Sequence, residues 1–312
     1  MKWKILLTDG LSPITDEALL ASVDLADKKG ISAEELLEIV CDYDGVIVRS
    51  RTKITEDVLA AASKLKVVGR MGVGVDNIDL KAAAAQGVTV VNAPEATSIT
   101  VAEHTLGLML SLIRGIPKAD GGMKSGQWLK KELVGTELNQ KILGIIGFGN
   151  IGKAVAKRAQ AFGMDLIAYD KDELPDTIRN IGVERVGFET LLTRSDLITL
   201  HVPHNESTHH MINEKTINMM KDGVLIICTA RGGVIDEDAL LAALESGKVG
   251  GAALDVFATE PPGSNPLPMH PRVVATPHIG AQTKEAQLRA GYDILSEVVA
   301  ALDGQPLRWK IV

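Results

Sequence analysis

Short apolar runs alternate with longer segments in which apolar residues recur at helical spacing through almost the whole chain. Before residue 95 the runs are "KILLTDG", "DGVIVRS", "LKVVGR" and "VTVVNAP". A continuous apolar run is what a strand buried on both faces requires. A parallel neighbour then needs a crossover of roughly a dozen residues or more, usually a helix. The N-terminal part therefore predicts a doubly wound parallel sheet of its own.

Residues 98 to 128 carry Val101, Leu106, Leu108, Met109, Leu112 and Ile113 at helical spacing and read as a long helix with a broken tail. A second series begins at Lys141 with "KILGIIGFG", "MDLIAYD", "DLITLHV", "GVLIICTA", "VGGAALDV" and "RVVATPHIG". Strand candidates in this order fit a Rossmann sheet. The closing pattern "TKEAQLRAGYDILSEVVAALDGQ" is a helix with an apolar stripe and no strand after it, so it is expected to pack back on an earlier layer. The expected fold class is α/β with two doubly wound parallel-sheet domains. A Rossmann dinucleotide-binding domain (98–284) is inserted in a flavodoxin-like substrate domain (1–97 and 285–312).

The segment "KILGIIGFGNIGKAVAKRAQAFGMDLIAYD" adds chemistry to this pattern. Gly147, Gly149 and Gly152 lie between a strand and a helix, and Asp170 closes the next strand 18 residues beyond Gly152. In such a loop the first glycine permits the tight turn, the second lets backbone approach a pyrophosphate, and the third lets helix and strand pack closely. The free N–H groups of the helix start face the anion. The acidic residue accepts from the ribose 2′-hydroxyl and would repel a 2′-phosphate, so the pattern predicts NAD in preference to NADP.

Composition removes several alternatives. With 46% hydrophobic and 23% charged residues over 312 positions, the chain is expected to fold compactly, as two domains. A net charge of -7 disfavours nucleic acid as a partner. The apolar run in "MKWKILLTDG" is too short for a signal peptide and no uncharged membrane-length stretch follows, which predicts no membrane partner and a cytoplasmic location. Cys41 and Cys228 are expected as small core residues, and the pair His209–His210 finds no further ligand at metal-site spacing, so no metal is expected.

Three segments stand at predicted strand ends, where ligands of open α/β sheets bind: "CTARGGVIDEDAL", "LDVFATEPP" and "ATPHIGAQT". They offer Arg231, Glu260 and His278. Taken together these supply a cation for a substrate carboxylate and a carboxylate-supported base for a hydroxyl proton, which are the needs of hydride transfer from a 2-hydroxy acid.

These segments, with "VGRMGVGVDNID" and "GFGNIG", make the chain similar to the NAD-dependent D-2-hydroxyacid dehydrogenases over nearly its whole length, and within them to the members that act on 3-phosphoglycerate. The resemblance implies that Arg231 orients the substrate carboxylate and carbonyl, that His278 is the general acid/base, and that Glu260 holds its imidazole. It implies cofactor contacts at Asn150, Ile151, Asp170, Val202, Ala230 and Asp255, with Thr229, Gly280 and Ala281 beside them and Val73 near the nicotinamide. The substrate wall is expected from Arg49 and Ser50 in "VRSRT" and from Gly72, Val73 and Gly74 in "MGVG". In the family a crossing segment reaches a twofold-related neighbour, so a homodimer is expected. This chain carries Lys130 where some phosphoglycerate members have an arginine for the phosphate. With "GQPLRWKIV" behind the last helix, the likeness is to short members without a C-terminal regulatory domain, and feedback inhibition by that route is not expected.

The implied reaction is NAD-dependent oxidation of 3-phosphoglycerate to 3-phosphohydroxypyruvate, the entry to serine biosynthesis. A glyoxylate or hydroxypyruvate reductase of the same family is the nearest alternative. A dinucleotide-sensing interaction protein, like the corepressors that share the fold, is the alternative of another class.

Overall fold

A computed structural model describes residues 2–11, 14–172 and 176–312, with the side chains of residues 176 and 177 excepted. The chain divides into two compact units, Met1–Thr97 with Gln282–Val312, and Ser98–Ala281.

The first unit is a parallel sheet of β1 (Trp3–Leu7), β2 (Val23–Asp27), β3 (Gly45–Val48), β4 (Val67–Arg70) and β5 (Thr89–Asn92) in the order β2-β1-β3-β4-β5. Alternate side chains enter opposite layers, as the pleat requires. Ile5, Ile47 and Val67 join one core, while Leu6, Val46, Val48 and Val68 join the other. The helix Lys284–Leu302 covers the first face, packing Ile294, Leu295 and Val298 against β3, β4 and β5. Gly69 makes this possible, because a Cβ there would lie 2.5 Å from Val298 Cγ2 and 3.0 Å from Ile294 Cγ1. Four of the five strands coincide with the apolar runs. The fifth, β2, is an edge strand with one fully buried residue, Val23, and its "VDLAD" lacks a continuous apolar run.

The second unit holds β6 (Ile142–Ile146), β7 (Asp165–Tyr169), β8 (Val183–Arg185), β9 (Leu197–Leu200), β10 (Val224–Cys228), β11 (Val249–Leu254) and β12 (Val273–Ala275). All are parallel, in the order β12-β11-β10-β9-β6-β7-β8. From β6 the chain builds outward through β7 and β8, then returns to β9 and builds the other way, which sets a topological switch point between β6 and β9. Six strands match the predicted runs. The seventh, β8, is an edge strand in which only Val183 is buried.

One face is covered by the helix Ser98–Arg114, which buries Ala102, Leu106, Met109 and Ile113 against the helix Asn150–Ala161 and the sheet. The broken tail is a second helix, Ile116–Lys124, bent 66° from the first at Gly115, whose φ of +61° a side chain would resist. Among the described residues no single helix is long and apolar enough to cross a membrane. Cys228 is buried, but Cys41 is not a core residue: it is half-buried on the one-turn helix Val40–Asp42, which follows the helix Ala33–Ile39.

Candidate active site

The glycine loop follows β6 directly. Gly147 adopts φ +89°, and a Cβ there would lie 2.5 Å from the carbonyl oxygen of His201, at the end of the neighbouring β9. A Cβ on Gly152 would collide with the Gly147 carbonyl, so the first helical turn sits against the strand end. Gly149, at the N-cap of the helix Asn150–Ala161, has open space where its side chain would be. The first-turn N–H groups of Asn150 and Ile151 have no intrahelical acceptors. Asp170 stands at the end of β7, and its Oδ2 accepts the Phe148 N–H at 2.7 Å, tying the acidic residue to the glycine loop. The backbone cradle, the helix start and the half-buried carboxylate fit a dinucleotide with a free ribose 2′-hydroxyl.

On the other half of this sheet, three further strand ends carry the reactive residues. The turn after β10 contains Thr229, Ala230 and Arg231, whose Nη1 donates to the Ala230 carbonyl at 2.7 Å. A Cβ on Gly232 would overlap the Phe257 carbonyl, so this turn and the one after β11 are in direct backbone contact. Burial pushes the Cys228 thiol beneath them up to about 11, which leaves it neutral and unreactive.

After β11 the chain passes through Asp255 and Phe257 to Glu260, and after β12 through Thr276 to His278. His278 Nδ1 and Glu260 Oε2 are 2.7 Å apart. The carboxylate can only accept, so Nδ1 carries the hydrogen and Nε2 is the ring atom left for a substrate. Glu260 Oε1 accepts the Phe257 N–H at 3.2 Å. Burial pushes the Glu260 carboxyl up, but the hydrogen bond and charge of His278 and the Phe257 N–H outweigh it and hold the group below its usual range. His278 has φ +52°, the left-handed region that a non-glycine residue adopts at a cost.

That conformation is held by Asp255, which is 1% exposed. Its Oδ1 accepts the Ile279 N–H at 2.9 Å and the Thr276 hydroxyl at 2.5 Å, and its Oδ2 accepts the Gly280 N–H at 2.8 Å. His104, from the helix Ser98–Arg114, places Nε2 at 3.3 Å from Asp255 Oδ1 and 3.1 Å from Thr276 Oγ1. Burial raises the Asp255 carboxyl, and these donors together lower it below its usual value. The carboxylate thus fixes the 276–280 turn from beneath.

In the first unit, the turns after β1, β3 and β4 share one edge of the sheet. The buried carboxylate of Asp9 accepts the Arg49 N–H at 2.8 Å, the Arg51 Nε–H at 2.9 Å and the Thr52 hydroxyl at 3.0 Å. Asn77 Nδ2 donates to the carbonyls of Arg49 and Thr52 at 2.9 and 2.6 Å. Arg51 is spent on holding the turn, donating also to the carbonyls of Thr8 and Ile31. Gly72 adopts φ +140°, and the Val73 carbonyl beside it accepts from Asn92 Nδ2 at 2.7 Å.

The sequence-named residues thus fall into three sets. Gly147, Gly149, Asn150, Ile151, Gly152, Asp170 and Val202 gather around β6, β7 and β9. Thr229, Ala230, Arg231, Asp255, Glu260, His278, Gly280 and Ala281 follow β10, β11 and β12. Arg49, Ser50, Gly72, Val73 and Gly74 belong to the first unit, and Lys130 lies exposed after the helix Ile116–Lys124. Asp9, Asn77 and His104 were not singled out from the sequence. Each is a polar residue whose partners come from another strand end, and only a polar residue inside an apolar pattern, as in "VAEHTLGLML", hinted at His104. His209 is joined by His204, Nε2 to Nδ1 at 3.1 Å, yet no group of three His, Cys, Asp or Glu among the described residues could hold a metal ion.

Comparison with known proteins matches residues 106–280 to the family description "D-isomer specific 2-hydroxyacid dehydrogenase, NAD binding domain". A D-3-phosphoglycerate dehydrogenase of Methanocaldococcus jannaschii is 48% identical over 306 residues, covering 97% of this chain and 58% of that protein. The chain spans less than two thirds of the length of the curated relatives it matches first. A glyoxylate reductase from Paecilomyes thermophila superposes with a TM-score of 0.91 at 33% identity, covering 99% of this chain and 98% of that one. A D-lactate dehydrogenase from Aquifex aeolicus, solved with NAD and lactic acid, superposes at 0.83 with 31% identity and 96% coverage of both chains.

Proposed function

The chain belongs to the D-isomer specific 2-hydroxyacid dehydrogenase family and carries its NAD-binding domain, and from that membership we propose that it oxidises 3-phosphoglycerate to 3-phosphohydroxypyruvate. The observation that carries the chemistry is the 2.7 Å His278–Glu260 pair at the strand ends that also present Arg231. Arg231 takes the substrate carboxylate in a bidentate fork and sets the C2 hydroxyl toward His278. His278 Nε2 accepts the hydroxyl proton as the carbonyl forms. Glu260, ionised and hydrogen-bonded to Nδ1, stabilises the resulting imidazolium. When bound, NAD supplies the acceptor for the hydride that leaves C2. In reduction the imidazolium returns its proton to the carbonyl oxygen.

Asp170 restricts the cofactor to NAD, since a 2′-phosphate would set like charges within a few ångströms. Arg49, on its Asp9-braced turn, and Lys130 are the cations proposed for the substrate phosphate. The phosphoglycerate reading rests on the 48% identity to a phosphoglycerate dehydrogenase against 33% to a glyoxylate reductase. A homodimer is supported by Ile116, Met123, Trp128 and Val134, large apolar residues 49, 59, 76 and 88% exposed within one segment. The cytoplasm is the proposed location.

The test is reduced-nicotinamide absorbance with phosphohydroxypyruvate, hydroxypyruvate, glyoxylate and pyruvate. The expected result is a kcat/KM for phosphohydroxypyruvate that exceeds the others by about 10- to 100-fold, the worth of one further charge-assisted contact. Equal or faster turnover of glyoxylate would reassign the enzyme to the reductases.

A further inference from the structure

Glu260 sits on a loop that has to be held in place for the His278 contact to exist. The clamp comes from outside the reactive trio. Glu237, in the first turn of the helix Glu237–Ser246, accepts the Ala258 N–H with Oε1 at 2.6 Å and the Asn265 Nδ2–H with Oε2 at 2.5 Å. Those two donors bracket Glu260, one on each side of it in the chain. Asn265 is itself fixed, because its Oδ1 accepts the Leu267 N–H at 2.9 Å and its N–H donates to the Pro262 carbonyl at 3.1 Å. The helix that supplies Glu237 begins just after the Arg231 turn, with Asp236 as its N-cap.

We infer that Glu237 is a positioning residue which holds the 258–265 loop by both ends and thereby sets Glu260 against His278 while tying that loop to the Arg231 turn. The inference rests on the reaction proposed above. The physical case is that a carboxylate can accept two hydrogen bonds at once, whereas an amide can accept on one side only. In Glu237→Gln, one of the two donors is left facing an N–H2 group. Asn265 cannot turn its amide over to compensate, since its oxygen is already used by Leu267. A loop freed at one end lets Glu260 drift, and a displacement near 1 Å at a reacting pair costs up to about 100-fold. Besides His278, Asp255 is the charged group that acts on Glu260, and neither substitution below touches it.

The donor and acceptor can be exchanged without changing net charge. In Glu237→Gln with Asn265→Asp, the glutamine oxygen still accepts from Ala258 and its amide donates to the carboxylate introduced at position 265. The other oxygen of that carboxylate still accepts from Leu267. The experiment compares wild type, the two single variants, the double variant and Glu260→Gln by kcat and by the chemical shift of the hydrogen-bonded His278 Nδ1–H proton in NMR, assigned with His278→Asn. Glu237→Gln is expected to lower kcat about 10- to 100-fold. It should also move the Nδ1–H proton signal upfield, in the direction of Glu260→Gln, because the charge-assisted hydrogen bond to Glu260 is loosened. Asn265→Asp, which faces Glu237 with a second carboxylate, should do the same, and the double variant should return kcat to within about threefold of wild type and the proton signal to its wild-type position. A proton signal unmoved in Glu237→Gln but moved in Glu260→Gln overturns the inference, as does a double variant no better than the singles. Should the wild type turn over no 2-keto acid, the proposed reaction fails, and the proton signals decide the clamp alone.

Discussion

His201 and His278 are histidines at strand ends of one sheet with opposite physical settings. His278 is 46% exposed and paired with a carboxylate, while His201 is half-buried, with its Nδ1 shut off from solvent and without a partner among the described residues, and its Nε2 on the Thr199 hydroxyl at 3.0 Å. Burial pushes His201 down to about 3, so it is neutral in the folded protein and serves packing rather than proton transfer. The unfolded chain takes up this proton near pH 6.5, and the folded one only near 3. The stability His201 contributes is therefore complete above about pH 6.5 and is lost as pH falls toward 3, at up to about 1.4 kcal/mol per pH unit. Between pH 7.5 and 5, urea unfolding of the wild type should show a loss about 2 kcal/mol larger than that of His201→Gln. Equal losses would mean that His201 is accessible to protons in the fold.

Legibility followed the range over which a residue's role is decided. Gly147, Gly149, Gly152 and Asp170 stand at fixed spacing across one strand-turn-helix-strand unit, so their arrangement could be read from the sequence. Asp255 was read as a cofactor contact. Its hydrogen bonds show a second task, bracing the 276–280 turn, which depends on Thr276, His104 and two backbone N–H groups that no spacing rule brings together.

Among the elements, the apolar runs identified every strand that is covered on both faces. What they missed were β2 and β8, two of the four edge strands, each with a single buried residue, where the sequence has no need to be apolar throughout; the other two edges, β5 and β12, keep apolar runs and were identified. The break at Gly115 was visible only as a broken periodicity. The packing of the helix Lys284–Leu302 depends on an absence of side chain at Gly69. Gly69→Ala would force a methyl within 2.5 Å of Val298 Cγ2, and the overpacked face should lose about 1–3 kcal/mol in urea unfolding. A loss below about 0.5 kcal/mol would show that Val298 and Ile294 have room to retreat. Gly87, with nothing within 4 Å of its Cβ position but a φ of +70°, separates the two costs, since Gly87→Ala meets backbone strain without crowding.

For the molecule as a whole, a net charge of -7 is an unfavourable background for the proposed substrate, which carries carboxylate and phosphate groups. The proposal therefore calls on cations set on braced turns, and within its own unit each turn is held: Asp9 accepts the Arg49 backbone N–H, and the Arg231 turn is in close backbone contact at Gly232. The exposed apolar residues between Ile116 and Val134 predict self-association through that segment. Trp128→Glu with Val134→Glu should shift the proposed dimer to monomer in sedimentation at micromolar concentration, and a wild type that already sediments as a monomer, or a dimer unchanged in the variant, would contradict an interface here. The central claim is that His278, hydrogen-bonded to Glu260, moves the proton that accompanies hydride transfer, and it is tested most directly by kcat for wild type and His278→Asn with the preferred 2-keto acid, measured beside the Kd for NADH. The expected result is a fall in kcat of about 10²- to 10⁴-fold with the NADH Kd within about twofold of wild type. A variant that keeps its kcat, or loses cofactor affinity in proportion, would contradict the assignment.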